Sequence, residues 1–160
     1  MQAVVVSKNL GGYLFVFHPD GTQLAQEQTG EIIWLQLFDF NGDGIAELVT
    51  EEAEARGTGL LVQYFIVYRV VGHQIEQLWR GVAYTHKMLR ESFATGTPVF
   101  EVTRGFLRFE PSGGGLPGPR LLHLVESSVA GGKVHVSRQA YLLEANSFHE
   151  IPWPDNKSAE

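Results

Sequence analysis

Short apolar segments, in which aromatic and β-branched residues often alternate with polar ones, run through most of this chain. Gly and Pro separate these segments at short intervals, with 18 Gly and 7 Pro among 160 residues. A period of two is typical of strands, and closely spaced turn residues are typical of antiparallel connections. The sequence therefore predicts an all-β fold of antiparallel hairpins and meander sheets. The predicted strands are 3–7, 13–18, 22–28, 32–38, 46–51, 60–70, 74–82, 98–103, 106–110, 121–127, 133–143 and 148–151.

Turn chemistry supports this interpretation most directly at residues 18–21, which read HPDG. Proline presets φ for the first central position, and glycine accepts the positive φ that such turns need. Only residues 83–93 have a composition compatible with a helix, but their apolar positions do not share a helical face. That segment is predicted as loop or strand.

The overall composition limits the class of protein. With 44% hydrophobic and 19% charged residues, the chain is predicted to form one globular domain over residues 1–151, followed by a tail at 152–160. The net charge of -6 and the scattered Lys and Arg residues argue against nucleic-acid binding. The absence of Cys excludes disulfides and thiolate metal sites. The longest apolar runs, such as 60–68, are too short to cross a bilayer, and the first ten residues do not resemble a signal peptide.

One segment carries recognisable chemistry, the run DFNGDGIAE at residues 39–47. Calcium takes six to eight oxygen ligands, and alternate oxygen-bearing residues on a curled backbone can supply them. This spacing predicts a calcium site. The predicted ligands are the side chains of Asp39, Asn41, Asp43 and Glu47, together with the backbone carbonyl of Ile45, whose side chain is left free for the core.

Two glycines, Gly42 and Gly44, permit the positive φ angles that such a loop needs. The alternative interpretation is an acidic turn that binds no metal tightly, because Asp, Asn and Gly are also the commonest turn residues. Five matched positions favour calcium over that alternative. The ion would be structural, since it offsets the repulsion among three carboxylates.

An EF-hand would place a Glu at the twelfth position of the loop, but that position is Thr50. With its acid at the ninth position and strands on both sides, the loop instead resembles that of FG-GAP and VCBS repeats, the blades of the integrin α-subunit propeller. The residues that carry this resemblance are Asp39, Asn41, Asp43, Gly44, Glu47, Leu48 and Val49, preceded by GYLFVFHPDGT at 12–22.

This resemblance covers about residues 4–52 and implies strands related to propeller blades. It also implies a non-catalytic interaction module in a bacterial secreted, periplasmic or cell-surface setting. The chain has one acidic loop of this kind and is too short for a seven-bladed ring. A second pattern, ELVTE at 47–51 and HLVES at 123–127, predicts two pseudo-repeated halves of about 75 residues.

Familiar catalytic signatures are missing from the sequence. It contains no G-x-S-x-G, no H-E-x-x-H and no suitably placed G-x-G-x-x-G, so no enzymatic activity is predicted. The six His residues are widely spaced and are expected to be exposed or hydrogen-bonded. An acidic run at Glu51, Glu52 and Glu54 predicts a solvated edge, with a second cation contact or a glycosidase carboxylate pair as the alternatives.

The sequence therefore predicts a non-catalytic, calcium-binding β domain that binds a protein or a cell-surface ligand. Open edge strands favour a homodimer. The alternative is a carbohydrate-binding or accessory module of a secreted glycoside-active enzyme, in which aromatic side chains stack on sugar rings. Of the three Trp residues, Trp34 and Trp79 are expected in the core and Trp153 on the surface. A small hydrolase is the least favoured interpretation, because no pair of nucleophile and base can be named.

Overall fold

Eleven strands and one short helix make up the part of the chain that the computed structural model describes, residues 2–8, 11–111, 118–144 and 147–154. The predicted all-β fold is confirmed. In chain order the elements are β1 (Gln2–Lys8), β2 (Gly11–Phe17), β3 (Gln23–Thr29), β4 (Glu31–Phe38), β5 (Glu47–Gly57), β6 (Leu60–Val71), β7 (Gln74–Met88), α1 (Glu91–Thr95), β8 (Phe100–Glu110), β9 (Arg120–Val129), β10 (His135–Glu144) and β11 (Ser147–Ile151).

Two antiparallel sheets hold these strands. The smaller sheet has the order β1-β2-β3, and the larger one runs through β4 to β11 in chain order. Neighbours in the chain are therefore neighbours in each sheet, as short turns between antiparallel strands require. The described strands do not close into a propeller ring, since β4 and β11 are the two edges of the larger sheet. The two pseudo-repeated halves remain a prediction.

Two segments differ from the sequence prediction, and part of a third lies outside the described residues. The predicted strands 98–103 and 106–110 form one continuous strand, β8. The segment predicted as loop or strand at 83–93 divides: β7 continues to Met88, and the helix α1 begins at Glu91. Part of the predicted tail, 155–160, lies outside the described residues.

The larger sheet has a packed layer on each side of β5 and β6. One core, between these strands and the smaller sheet, consists of Leu14, Val16, Ala25, Ile32, Leu48, Ile66, Tyr68 and Ile75. The other, between these strands and β9 and β10, includes Phe40, Val49, Val67, Trp79, Leu121 and Leu143. Successive residues of a strand point to opposite faces, so Leu48 enters the first core and Val49 the second.

A bulge lets β7 contribute to both cores. Tyr68 of β6 pairs with Gln77, but the preceding residue, Val67, pairs with Trp79, so Leu78 is the extra residue. An extra residue reverses the face to which the following side chains point. Ile75 therefore lies in the first core and Trp79 in the second.

Candidate metal site

The predicted calcium loop connects β4 to β5. The hairpin register ends where Phe38 pairs with Glu47, so residues 39–46 form the connection. Gly42 and Gly44 have φ angles of 73° and 82°, in the left-handed region that residues with a side chain seldom adopt. The backbone is therefore tightly curled at the two glycines where the predicted calcium loop needs positive φ angles.

Asp39 organises the first part of this loop. Its Oδ1 atom accepts a hydrogen bond of 2.8 Å from the backbone N–H of Gly42, and its Oδ2 atom accepts one of 2.9 Å from that of Gly44. Side-chain oxygens of Asp commonly satisfy nearby backbone donors in this way. The Asp39 carboxylate is thereby turned towards the inside of the bend.

Asn41 and Asp43 repeat this pattern further along the loop. The Oδ1 atom of Asn41 accepts a hydrogen bond of 3.1 Å from the N–H of Asp43, and Oδ1 of Asp43 accepts one of 2.8 Å from the N–H of Ile45. The amide of Asn41 also donates to Oδ2 of Asp43 at 2.8 Å. This last hydrogen bond is the main reason that the pKa of Asp43 lies below its usual value.

Glu47 closes the site from the first position of β5, and its side chain is 0% exposed. Its Oε2 atom accepts a hydrogen bond of 3.1 Å from the N–H of Phe40. Its Oε1 atom is buried without a hydrogen bond, and the nearest cation, the Nε atom of Arg69, lies 3.5 Å away. Burial is the main cause that raises the pKa of Glu47, and the Phe40 N–H and Arg69 oppose it.

Phe40 anchors the loop to the protein. Its ring is buried in the second core, with its centroid 4.2 Å from that of Phe109 and 6.5 Å from that of Phe148. The second residue of the motif therefore packs inward while the first, third and fifth face the loop. Because Phe109 belongs to β8 and Phe148 to β11, strands remote in sequence fix the position of the loop.

The sequence prediction of this site did not include Arg69, which pairs with two of the predicted ligands. This arginine lies on β6 with a side chain only 7% exposed, and its Nη2 atom contacts Oδ2 of Asp43. One guanidinium thus joins the predicted ligands at the fifth and ninth positions, Asp43 and Glu47. The available signal was a single charge in the otherwise apolar run FIVYRVV at 65–71.

The five predicted ligands lie in the β4–β5 loop and at the first residue of β5. Three of them, Asn41, Asp43 and Ile45, line a cavity of about 450 Å³ together with Arg69. One detail is wrong: the side chain of Ile45 was expected in the core but is 49% exposed. In the described part of the chain, no group of three or more His, Asp or Glu side chains is already arranged to hold a metal ion.

The acidic run beside this loop is not a solvated edge throughout. Glu52 is 1% exposed and points into the space between the two sheets. Glu54 is exposed and pairs with Arg80 at 2.5 Å, whereas Glu51 is half-buried and its pKa is raised by that burial. Only Glu54 therefore matches the sequence prediction.

The aromatic residues also correct two expectations. Trp34, predicted in the core, is 43% exposed on β4, and Trp153, predicted on the surface, is half-buried. Trp79 is buried as expected, with its ring edge-on to that of His123 at a centroid distance of 5.2 Å. His123 is itself buried, and its Nε2 atom lies 2.8 Å from the carbonyl oxygen of Val82.

Comparison with known proteins gives no match to a family model, to a curated protein or to a solved structure. The resemblance to FG-GAP and VCBS repeats thus depends on the residues of the loop and of the hairpin before it. Among the described residues, no helix is long and apolar enough to cross a membrane.

Proposed function

We propose that this chain is a non-catalytic calcium-binding β domain that acts as an interaction module in a secreted, periplasmic or cell-surface setting. The observation that carries the proposal is the fully buried carboxylate of Glu47 next to the Asx-rich loop: among the described residues, its Oε1 atom accepts no hydrogen bond and has only the longer ionic contact of 3.5 Å with Nε of Arg69. Buried polar atoms are nearly always hydrogen-bonded, so a carboxylate oxygen without a hydrogen bond is a candidate cation ligand.

The donor set fits calcium. Asp39, Asp43 and Glu47 supply carboxylates, Asn41 an amide oxygen and Ile45 a backbone carbonyl, and hard divalent cations prefer oxygen ligands of these kinds. The three carboxylates and the Arg69 guanidinium leave a net charge of minus two, which one calcium ion neutralises. Bound calcium would supply charge compensation and would fix the β4–β5 connection.

The first prediction is saturable binding of one calcium ion per chain by protein stripped with a chelator. Calorimetric titration with calcium and with magnesium measures it, and calcium is expected to bind more tightly, because the loop offers flexible multidentate oxygen ligands. Calcium should also raise the melting temperature. At a calcium concentration of a hundred times Kd, the free energy of unfolding should increase by about 2.7 kcal/mol.

Glu47→Gln tests the proposed ligands, since it keeps the shape of the side chain and removes its charge. Calcium affinity is expected to fall at least about tenfold. Asp20→Asn is the matched control, because Asp20 also caps a turn, through a 2.9 Å hydrogen bond from the N–H of Thr22, outside this loop. Equal affinities in Glu47→Gln and Asp20→Asn would contradict the ligand assignment.

Edge strand β4 supports the interaction part of the proposal. It ends the larger sheet, and its side chains Ile33, Trp34, Leu37 and Phe38 are all exposed. An edge strand offers unpaired backbone groups to another strand, and exposed apolar side chains add to the driving force. At the start of β4, the N–H of Ile32 donates a hydrogen bond of 2.6 Å to Oγ of Ser7 in β1.

Pairing of two copies through β4 is the second prediction. Light scattering is expected to give twice the mass of one chain, and Leu37→Lys should yield the monomer because a charge on the edge opposes pairing. Val71→Lys, at an exposed position of β6, provides the control and should remain dimeric. A monomeric unmodified chain would contradict the prediction.

Exposure of Trp34 also favours the alternative, a carbohydrate-binding module, since exposed aromatic rings stack on sugar faces. A titration of tryptophan fluorescence with oligosaccharides distinguishes the alternatives. Saturable quenching that disappears in Trp34→Ala would support sugar binding over strand pairing.

A further inference from the structure

Arg69 occupies a position where a charge is costly. Its neighbours in β6, Val67 and Tyr68, are buried, and the Arg69 side chain itself is only 7% exposed. Removing a guanidinium from water is unfavourable unless its partners compensate for the lost hydration. Because Tyr68 pairs with Leu48, Arg69 and Glu47 occupy the next position along the same two strands.

Two acidic partners provide this compensation. The Nη2 atom of Arg69 contacts Oδ2 of Asp43 in the loop, and its Nε atom lies 3.5 Å from Oε1 of the fully buried Glu47. These partners are the fifth and ninth positions of the loop. The guanidinium therefore takes the electrostatic role at these two carboxylates that a bound cation would take.

We propose that Arg69 is an internal counter-ion that holds the loop together without calcium and lowers its affinity for calcium. The inference rests on the proposed calcium site. A carboxylate oxygen engaged by Arg69 is a poorer ligand, and a positive charge next to the site repels a divalent cation. The loop therefore binds calcium more weakly than the same loop would without this guanidinium.

Arg69→Met tests this role, because methionine retains much of the length and none of the charge. The variant is expected to bind calcium at least about tenfold more tightly than the unmodified chain, by calorimetry. Its melting temperature should fall in chelator and recover more in calcium than that of the unmodified chain. The control is Arg80→Met, which removes the ion pair with Glu54 and should leave calcium affinity unchanged.

The outcomes separate the two proposals. If the unmodified chain binds calcium and a folded Arg69→Met chain binds it equally well or more weakly, the proposed role of Arg69 is overturned. The proposed function stands in that case, because the unmodified chain binds calcium. If neither chain binds calcium, the proposed function fails and the inference fails with it. Calcium binding by Arg69→Met alone would support the role of Arg69 and would contradict calcium binding by the unmodified chain.

A second measurement uses the unmodified chain, because loss of a buried guanidinium can unfold a protein. In a labelled sample, the Nε–Hε resonance of Arg69 is expected to shift as calcium is added, while that of Arg80 stays in place. A calcium-saturated protein with an unmoved Arg69 resonance would overturn the inference.

Discussion

Replacing Gly105 with alanine is expected to destabilise the protein by about 3 to 5 kcal/mol. An added Cβ atom would overlap the backbone carbonyl oxygen of Val82 and approach Nε2 of the buried His123 to 2.9 Å. Regular pairing of β7 with β8 stops at Tyr84 and Arg104, one residue before this glycine. Backbone atoms in a packed core cannot move aside cheaply, and this makes the penalty large.

Urea denaturation measures this effect. Gly57→Ala is the matched control, because a Cβ atom there would meet nothing within 4 Å and the backbone has no positive φ. The control should change the free energy of unfolding by less than about 1 kcal/mol, and in the stabilising direction. Equal stabilities of the two variants would show that the strands do not approach as closely as described.

Replacing Glu52 with alanine is expected to lower the free energy of unfolding by about 2 to 4 kcal/mol. Its Oε1 atom accepts hydrogen bonds from the hydroxyls of Thr50 at 2.6 Å and Tyr68 at 2.9 Å, and Oε2 accepts one from the N–H of Gly30 at 2.8 Å. Removal of the carboxylate leaves three donors without their acceptor. Gly30 and Tyr68 border a cavity of about 400 Å³ between the sheets, and water entering it would limit the loss of stability.

Thermal and urea unfolding of Glu52→Ala should be compared with Glu76→Ala, which removes an exposed carboxylate from β7. Burial is the main cause that raises the pKa of Tyr68, with Glu52 the next contributor, so this tyrosine remains a donor at neutral pH. The stability of Glu52→Gln should lie between those of the unmodified chain and Glu52→Ala, since the amide N–H of Gln would face one of the donors that now bond to the carboxylate. If Glu52→Ala lowers the free energy of unfolding no more than Glu76→Ala does, Glu52 does not help to join the two sheets.

Local features of the candidate site were predictable from the sequence. The curled path of residues 39–46 follows from Gly42, Gly44 and Asx side chains that bond to backbone groups only two to five residues away. Arg69 was not predictable as a partner, because it lies 26 residues from Asp43. Which carboxylate a strand arginine meets depends on the strand register, and spacing within the loop contains no such information.

By itself, the sequence determined the strands and the loop, because both depend on preferences that act within a few residues: side-chain alternation, glycine φ angles and Asx turns. Only the tertiary structure decided which strand faces are buried. β5 is covered on both sides, so Glu52 is internal although its neighbour Glu54 is exposed. Edge strand β4 instead leaves Trp34 exposed. The physical reason is that burial and ion pairing depend on layers formed by distant strands, such as Gly30 bonding to Glu52 across 22 residues.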